Sequence, residues 1–337
     1  MNGNLRVIAI GEVLWDVFHD STRLGGAPLN FAAHASRMRH QVKLVSGVGD
    51  DPLGCSALAA IREIGLETRF IQTVTGFPTG TASVLLGADG QPTFRIQRPA
   101  AYDAVELSAA DLGDLSAWSP GWLYYGTLYP HLKQARSKLQ QIMDAVPKAT
   151  QFYDVNLRPG CFSAELVMEL LGLANVVKLN EEEMRSVAQF AGLPHAAIES
   201  FCREGAARYG WQTVAVTLGP NGSAIWNGGD YAEEPGQPVS VADSVGAGDG
   251  FAAAMLHGLS QQWGTRDIVS FANRVGALVA SRAGAIPDWS PDEIALFVES
   301  GRYDRPNGKS SHEKPGLARL DGLDGTVGAP DLAGPPK

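Results

Sequence analysis

The sequence predicts an α/β protein, a sheet flanked by helices, on three observations. Short β-branched runs alternate with Ala- and Leu-rich stretches of helical period along most of the chain. The 337 residues, 45% apolar and 19% charged, have the composition of an ordinary folded protein and the length for two units, or for one large unit carrying an excursion. Several strand candidates end in polar or Gly-containing loops, where ligands collect in open α/β sheets.

In chain order, the strands are expected over residues 7–10, 42–46, 122–125, 151–155, 176–178 and 213–217. Two stretches break the rhythm, 12–24 and 81–98. The second reads TASVLLGADGQPTFRIQR and alternates on both sides of Ala88-Asp89-Gly90, so it is expected to form a β-hairpin standing off the main sheet. Residues 301–337 are rich in Gly, Pro, Asp and Lys with few large apolar side chains, so a flexible tail is expected there. Within it, Asn307-Gly308-Lys309-Ser310 resembles the end of a phosphate loop, but Tyr303 stands where the leading Gly is required. The sequence shows no repeat of solenoid or propeller length.

The net charge of −9, with no Lys/Arg-dense stretch, argues against binding to nucleic acid or to an anionic membrane. Cys55, Cys161 and Cys202 are far apart and lack metal-ligand spacing, against a disulfide scaffold or a structural zinc site. No apolar run approaches the roughly 20 residues that span a bilayer. The start of the chain lacks a cationic leader with a long apolar stretch, so a cytoplasmic protein is expected.

Chemistry concentrates in a few segments. Asp243-Ser244-Val245-Gly246-Ala247-Gly248-Asp249-Gly250-Phe251 precedes a helical-looking AAAMLHGL. Small residues let backbone approach a ligand, and the free N–H groups and dipole of the following helix favour an anion. A carboxylate in that cradle can accept a proton from an attacking hydroxyl while amides stabilise a transferring phosphoryl group. Asp249 fits a simple helix cap equally well. Upstream, Gly25-Gly26-Ala27-Pro28-Leu29-Asn30, with Asp16 before it, offers a carboxylate, an amide and exposed N–H groups suited to a polyol. Taken singly, Asn30 reads as a cap and Gly25-Gly26 as a turn.

Between these ends lie DVNLR at 154–158 and KLNEEE at 178–183. Arg158 can neutralise a phosphate, while Asn180 and Glu183, on one helical face, can hold waters around a magnesium–nucleotide complex. Glu181 and Glu182 need no role beyond the helix dipole. The segment VTLGPNG at 216–222 is a strand entering a turn whose glycines let amides reach a phosphate; it is also good turn chemistry.

In this order, GGAPLN, DVNLR, NEEE, VTLGPNG and DSVGAGDGF resemble the ribokinase-like sugar kinases of the PfkB family, fructokinases most closely, over about residues 5–295. The resemblance implies a three-layer α/β/α sandwich with a largely parallel sheet and a small β lid. It divides the chain into a core (1–12, 32–77 and 104–300), a lid (13–31 and 78–103) and the tail. It implies Asp249 as catalytic base, Gly246, Ala247 and Gly248 as anion hole, and Arg158 near the transferred phosphate. Asp16, Gly26 and Asn30 match sugar-binding positions. Asn180 and Glu183 match an NxxE element that governs magnesium through water, and Asn180, Thr217, Gly219, Gly222 and Asn273 match nucleotide-binding positions. A potassium ion beside the anion hole, held by Asp243, Val245 and the 280–287 segment, is a further expectation. Ser244 departs from the commoner Thr, and Gly250 adds flexibility after the base.

The implied activity is ATP- and Mg2+-dependent phosphorylation of a sugar primary hydroxyl, D-fructose to fructose 6-phosphate first. The alternative is a 2-keto-3-deoxygluconate kinase, for which Arg95 and Arg98 on the lid would meet the substrate carboxylate, or another ketose or ribose kinase. A silent sugar-binding regulator is the rival outside catalysis, opposed by the retained Asp249. A nucleotide-dependent dehydrogenase lacks its GxGxxG after the first strand. The partners implied are a small sugar, ATP and a second copy in a homodimer, with Val84 and Phe94 suited either to that interface or to covering the bound sugar.

Overall fold

The computed structural model describes residues 5–18, 21–86 and 92–294. The Ala88-Asp89-Gly90 turn, the side chains of Val84 and Phe94, and residues 301–337 lie outside what is described.

The chain opens with β1 (Arg6–Ile10), β2 (Leu14–Val17), β3 (Thr22–Gly25), α1 (Ala27–Arg37), β4 (Gln41–Gly49), α2 (Pro52–Glu63) and β5 (Ile71–Val74). It continues through β6 (Gly80–Leu86), β7 (Pro92–Ile96), α3 (Ala109–Ala117), β8 (Trp122–Gly126), α4 (Lys133–Ala145), β9 (Thr150–Asp154) and α5 (Ala164–Leu173). Then come β10 (Val176–Asn180), α6 (Glu181–Ala191), α7 (Ile198–Tyr209), β11 (Thr213–Thr217), β12 (Ser223–Asn227), β13 (Asp230–Glu234), α8 (Ala247–Ser260) and α9 (Thr265–Ala280).

The main sheet has nine strands in the order β13-β12-β11-β10-β9-β8-β1-β4-β5. It is parallel from β11 to β5, and β12 and β13 add an antiparallel edge. Successive side chains of a strand point to opposite faces, and a parallel sheet is covered on both. Ile8, Ile10, Tyr125, Tyr153 and Leu179 pack on one face with α3 to α7. Val7, Ala9, Tyr124 and Phe152 pack on the other with α1, α2, α8 and α9. This is the ribokinase-like α/β/α sandwich.

A second, four-stranded sheet, β3-β2-β6-β7, stands apart, with β2 and β6 parallel and the outer pairs antiparallel. It is tied down at two points. Trp15 Nε1 donates to Leu53 O of α2 at 3.1 Å, and the Asp51 carboxylate accepts from Thr79 N and Thr79 Oγ1 at 2.8 and 2.6 Å, just before β6.

Two expectations change. Residues 27–31 open α1, whose Leu29, Phe31 and Ala32 are fully buried against the sheet, so they belong to the core layer rather than to the lid. The strand set also omits β5 and the β12–β13 hairpin. That hairpin turns on Gly228 and Gly229, both at positive φ, a two-residue signal readable in the sequence.

Candidate active site

Helices α2, α3, α5 and α6 start on side-chain caps, Asp51, Ser108, Ser163 and Asn180. Helices α1 and α8 start instead on Gly26 and Gly246, at φ 117° and 81°, without a side-chain cap. A Cβ on Gly26 would lie 2.3 Å from Glu12 O, and one on Gly246 2.3 Å from Ala285 O. Positive φ and backbone contact together admit only glycine. The start of α8, with its free amides and dipole, therefore lies at the cavity, the arrangement expected of an anion hole.

Asp249 sits in the first turn of α8, and its Oδ2 accepts from Asn30 Nδ2 of α1 at 2.8 Å. Asn30 is buried, and its Oδ1 has no partner among the described residues, which leaves an acceptor available at the cavity. One turn on, His34 holds the wall behind the hole. Its Nδ1 accepts from Trp289 Nε1 at 3.0 Å, so Nε2 carries the hydrogen and donates to Ala285 O at 3.0 Å.

Asp249, Asp16, Gly26 and Asn30 line one cavity of about 270 Å3, together with Glu12, Asp154, Arg158, Lys178, Asn180, Glu183 and Thr217. Burial raises the pKa of Asp249 to about 6, the Asp154 charge adding to the rise while Lys178, the Asn30 hydrogen bond and Arg158 oppose it. Burial likewise raises Asp16 to about 6 and Glu12 to about 7, with Arg158 opposing both. Arg158 is exposed at the cavity and has no ion-pair partner among the described residues.

Glu12, Asp154 and Lys178 had no assigned role in the sequence reading. Lys178 Nζ donates to both Asp154 oxygens at 2.9 and 3.0 Å, and Tyr124 Oη donates to Asp154 Oδ2 at 2.9 Å. The ammonium also lies 3.4 Å from where a Cβ on Gly248 would stand, so it brings positive charge under the anion hole. All three residues lie at or near the C-terminal ends of β1, β9 and β10, which was the available signal.

Asn180 and Glu183 form a capping box, Asn180 Oδ1 accepting from Glu183 N at 2.9 Å and Glu183 Oε2 from Asn180 N at 2.8 Å. Glu183 Oε1 accepts from Leu157 N at 2.8 Å, so the buried carboxylate is committed to backbone amides. Asn180 is exposed to the cavity with its amide N–H groups and a second lone pair available. This pair fits magnesium held through water and not by direct ligation. Among the described residues no group of three or more His, Cys, Asp or Glu side chains is placed to hold a metal ion.

Thr217, Ser244 and Gly248 line this cavity and also a second one of about 480 Å3, with Gly219, Gly222, Val239, Val241, Phe251 and Asn273. Val241 is 63% exposed on its rim, an apolar edge suited to a flat ring. Asn273 accepts from Ser223 Oγ at 2.8 Å and donates to Glu234 O at 3.2 Å, bracing the pocket wall. The anion hole thus separates a polar cavity from a largely apolar one.

One assignment does not survive. Arg98 does not line the cavity: its guanidinium pairs with the Asp103 carboxylate and donates to Leu128 O at 2.6 Å, with side-chain exposures of 9% and 3% for the two partners. Asp103 also accepts from Ala100 N at 3.0 Å, so the pair pins the chain after the lid. Arg98→Ala is expected to cost about 3 kcal/mol of stability by stranding Asp103, with the sugar KM unchanged below the melting range. Urea unfolding and steady-state kinetics check this, and a raised KM without loss of stability would restore a substrate role. Asp243, matched to a potassium ligand, has a carboxylate that accepts from Arg23, Val245 N and Gly284 N.

The pattern of similarity agrees with this geometry. Fructokinase of Escherichia coli is 29% identical over 301 residues, 83% of this chain and 95% of its own length. A fructokinase variant from Vibrio cholerae O395, solved with fructose, ADP and potassium, superposes with a TM-score of 0.74 at 25% identity, over 87% of this chain and 98% of that one. A 2-dehydro-3-deoxygluconokinase from Thermotoga maritima shares the fold, with a TM-score of 0.75 at 20% identity over 88% and 99%. The sequence profile described as pfkB family carbohydrate kinase matches residues 6–292. Because that match runs from the first strand through both cavities, the chain belongs to the pfkB family of carbohydrate kinases, enzymes that transfer phosphate to an alcohol.

Proposed function

We propose that the protein transfers the γ-phosphoryl group of ATP to the primary hydroxyl of a neutral ketose, D-fructose becoming fructose 6-phosphate. The observation that carries the sugar class is the charge at the polar end of the cavity. Glu12, Asp16 and Asn30 Oδ1, which has no partner among the described residues, can accept from a ring of hydroxyl donors, and the Asp16 carboxylate would repel a sugar acid at neutral pH. The lid arginines do not offset it. Arg95 is exposed in β7 while its neighbour Ile96 lines the cavity, and Arg98 is held by Asp103.

In this reading the ketose lies between Asp16 and Asn30 with its primary hydroxyl at Asp249. Asp249 accepts the hydroxyl proton as the oxygen attacks phosphorus, and the α8 amides take the charge gathering on the phosphoryl oxygens. Lys178 below and Arg158 beside the cavity add positive charge. Magnesium, when bound with the nucleotide and held through water by Asn180 and Glu183, supplies further neutralisation of the phosphates. The nucleotide occupies the second cavity, its base toward Val241 and Phe251. The lid sheet covers the sugar side and excludes water as a competing acceptor. The proposal places the enzyme in the cytoplasm as a homodimer, which light scattering of the purified protein checks.

The 2-keto-3-deoxygluconate reading retains one favourable observation, the unpaired Arg158 at the cavity. ADP release with ATP and magnesium across fructose, tagatose, ribose, adenosine and 2-keto-3-deoxygluconate separates the two. The highest kcat/KM is expected for fructose. A preference for the acid would assign Arg158 to the substrate carboxylate and overturn the neutral-ketose reading.

A further inference from the structure

Arg23 lies on the lid strand β3, directly across from Asp16 on β2, so the two side chains share one face of the lid. Its guanidinium leaves the lid altogether. Nη1 donates to Asp243 Oδ2 at 2.5 Å, on the loop that leads into the anion hole at Gly246, while Phe18 lies against the guanidinium at 5.2 Å from its ring centroid. Asp243 Oδ2 also accepts from Gly284 N at 3.2 Å, and Oδ1 accepts from Val245 N at 3.0 Å. One carboxylate therefore joins the lid, the anion-hole loop and the 280–287 segment.

This is the place where the family resemblance puts a potassium ion, and here the Asp243 carboxylate already carries a cationic partner. The Asp243 carboxylate has three donors. Ala280 O accepts from Ala242 N and Asp243 N at 2.9 and 3.2 Å, and Ala285 O accepts from His34. A cation on the Asp243 carboxylate would have to displace, or share it with, the Arg23 guanidinium already bound there. The local charge balance also uses Arg23. The Asp243 charge raises the Asp16 pKa and the Arg23 charge lowers it, so removing Arg23 leaves Asp243 facing both Asp16 and an incoming phosphate.

We propose that the Arg23 guanidinium is the resident cation of this site, standing in for potassium, so that phosphoryl transfer proceeds without any monovalent ion. Because Arg23 is carried by β3, the counter-charge arrives with the lid and positions the anion-hole loop as the lid sits down. Arg23 is a positioning residue: it touches Asp243 and not the reacting atoms. The inference rests on the phosphotransferase site alone and not on which sugar is phosphorylated.

The test compares wild type, Arg23→Ala and Arg23→Lys in potassium chloride and in tetramethylammonium chloride at equal ionic strength. Initial rates and thermal melting are both read. Wild type is expected to melt at the same temperature and turn over at the same rate in the two salts. Arg23→Ala is expected to lose about tenfold or more in kcat/KM in tetramethylammonium, to recover in potassium, and to gain a potassium-specific rise in Tm. Arg23→Lys should keep the cation independence. The melting comparison needs no sugar, so an error in the substrate leaves it intact. Activation of the wild type by potassium would overturn the proposal, as would an Arg23→Ala protein whose lost activity no monovalent ion restores, or one that keeps wild-type rates in both salts. If Arg23→Ala does not fold, the wild-type comparison still decides.

Discussion

Asp249→Asn is expected to lower kcat by about 10³-fold, within the range for removing a positioned general base, while nucleotide affinity stays within a few-fold. The same substitution should raise Tm at pH 7 to 8. Asp249 is held near pKa 6 by burial and by the Asp154 charge, above the ordinary aspartate value of 3.8. A folded-state pKa above the unfolded one contributes stability that is complete below the unfolded value and lost as pH rises through the folded one. At neutral pH the ionised base is therefore a cost to the fold, and Asn, which keeps an acceptor for Asn30 Nδ2, removes it. The gain over wild type should vanish below about pH 4. In wild type, kcat/KM should fall as pH drops through about 6, where the base becomes protonated. Rate profiles and melting curves over pH 4 to 8 read both effects. A variant within tenfold of wild type in kcat, or one with unaltered activity loss at low pH, would remove Asp249 from the base role.

Gly246→Ala carries the second large effect. Its φ of 81° costs an alanine about 1 kcal/mol, and its Cβ would stand 2.3 Å from Ala285 O and 2.6 Å from Ala285 Cα. Backbone cannot swing aside as a flexible side chain can, so the start of α8 or the 280–287 segment must move. A displacement of that size at the anion hole is expected to lower kcat/KM by about 10²-fold or more. Gly192→Ala is the matched control: φ is 60° at the end of α6, and nothing lies within 4 Å of the added Cβ. It should lose about 1 kcal/mol of stability and no activity. Equal activity losses in the two variants would mean that left-handed strain, and not the contact with Ala285, is what Gly246 avoids.

What the sequence made legible follows from how local each feature is. The anion hole and its base lie within the nonapeptide 243–251, where glycine spacing and the following helix state the chemistry directly. Strand runs such as 7–10 and 214–216 are fully buried and apolar, and they stand out for that reason. The charge at the sugar end is different. Glu12, Asp154 and Lys178 come from separate strand ends, and a single acidic or basic residue after a strand carries no pattern until the sheet places it. Arg98 misled because a basic residue on a lid looks available, although its partner Asp103 is only five positions on. Whether they meet depends on the turn between them. The contact between Asp243 and Arg23 was invisible because the two are 220 residues apart in sequence.

The wall between the two cavities is made of Thr217, Ser244 and Gly248, which face both sides. A single synthetic compound can therefore address both. A polyhydroxylated head joined through a short anionic linker to a flat aromatic group would place the head at Asn30, the linker across Gly248 and the ring beside Val241. The second contact would form at the high effective concentration set by the first. Such a bisubstrate ligand would engage the acidic polyol end and the apolar end at once, a pairing that analogues of either substrate alone do not exploit.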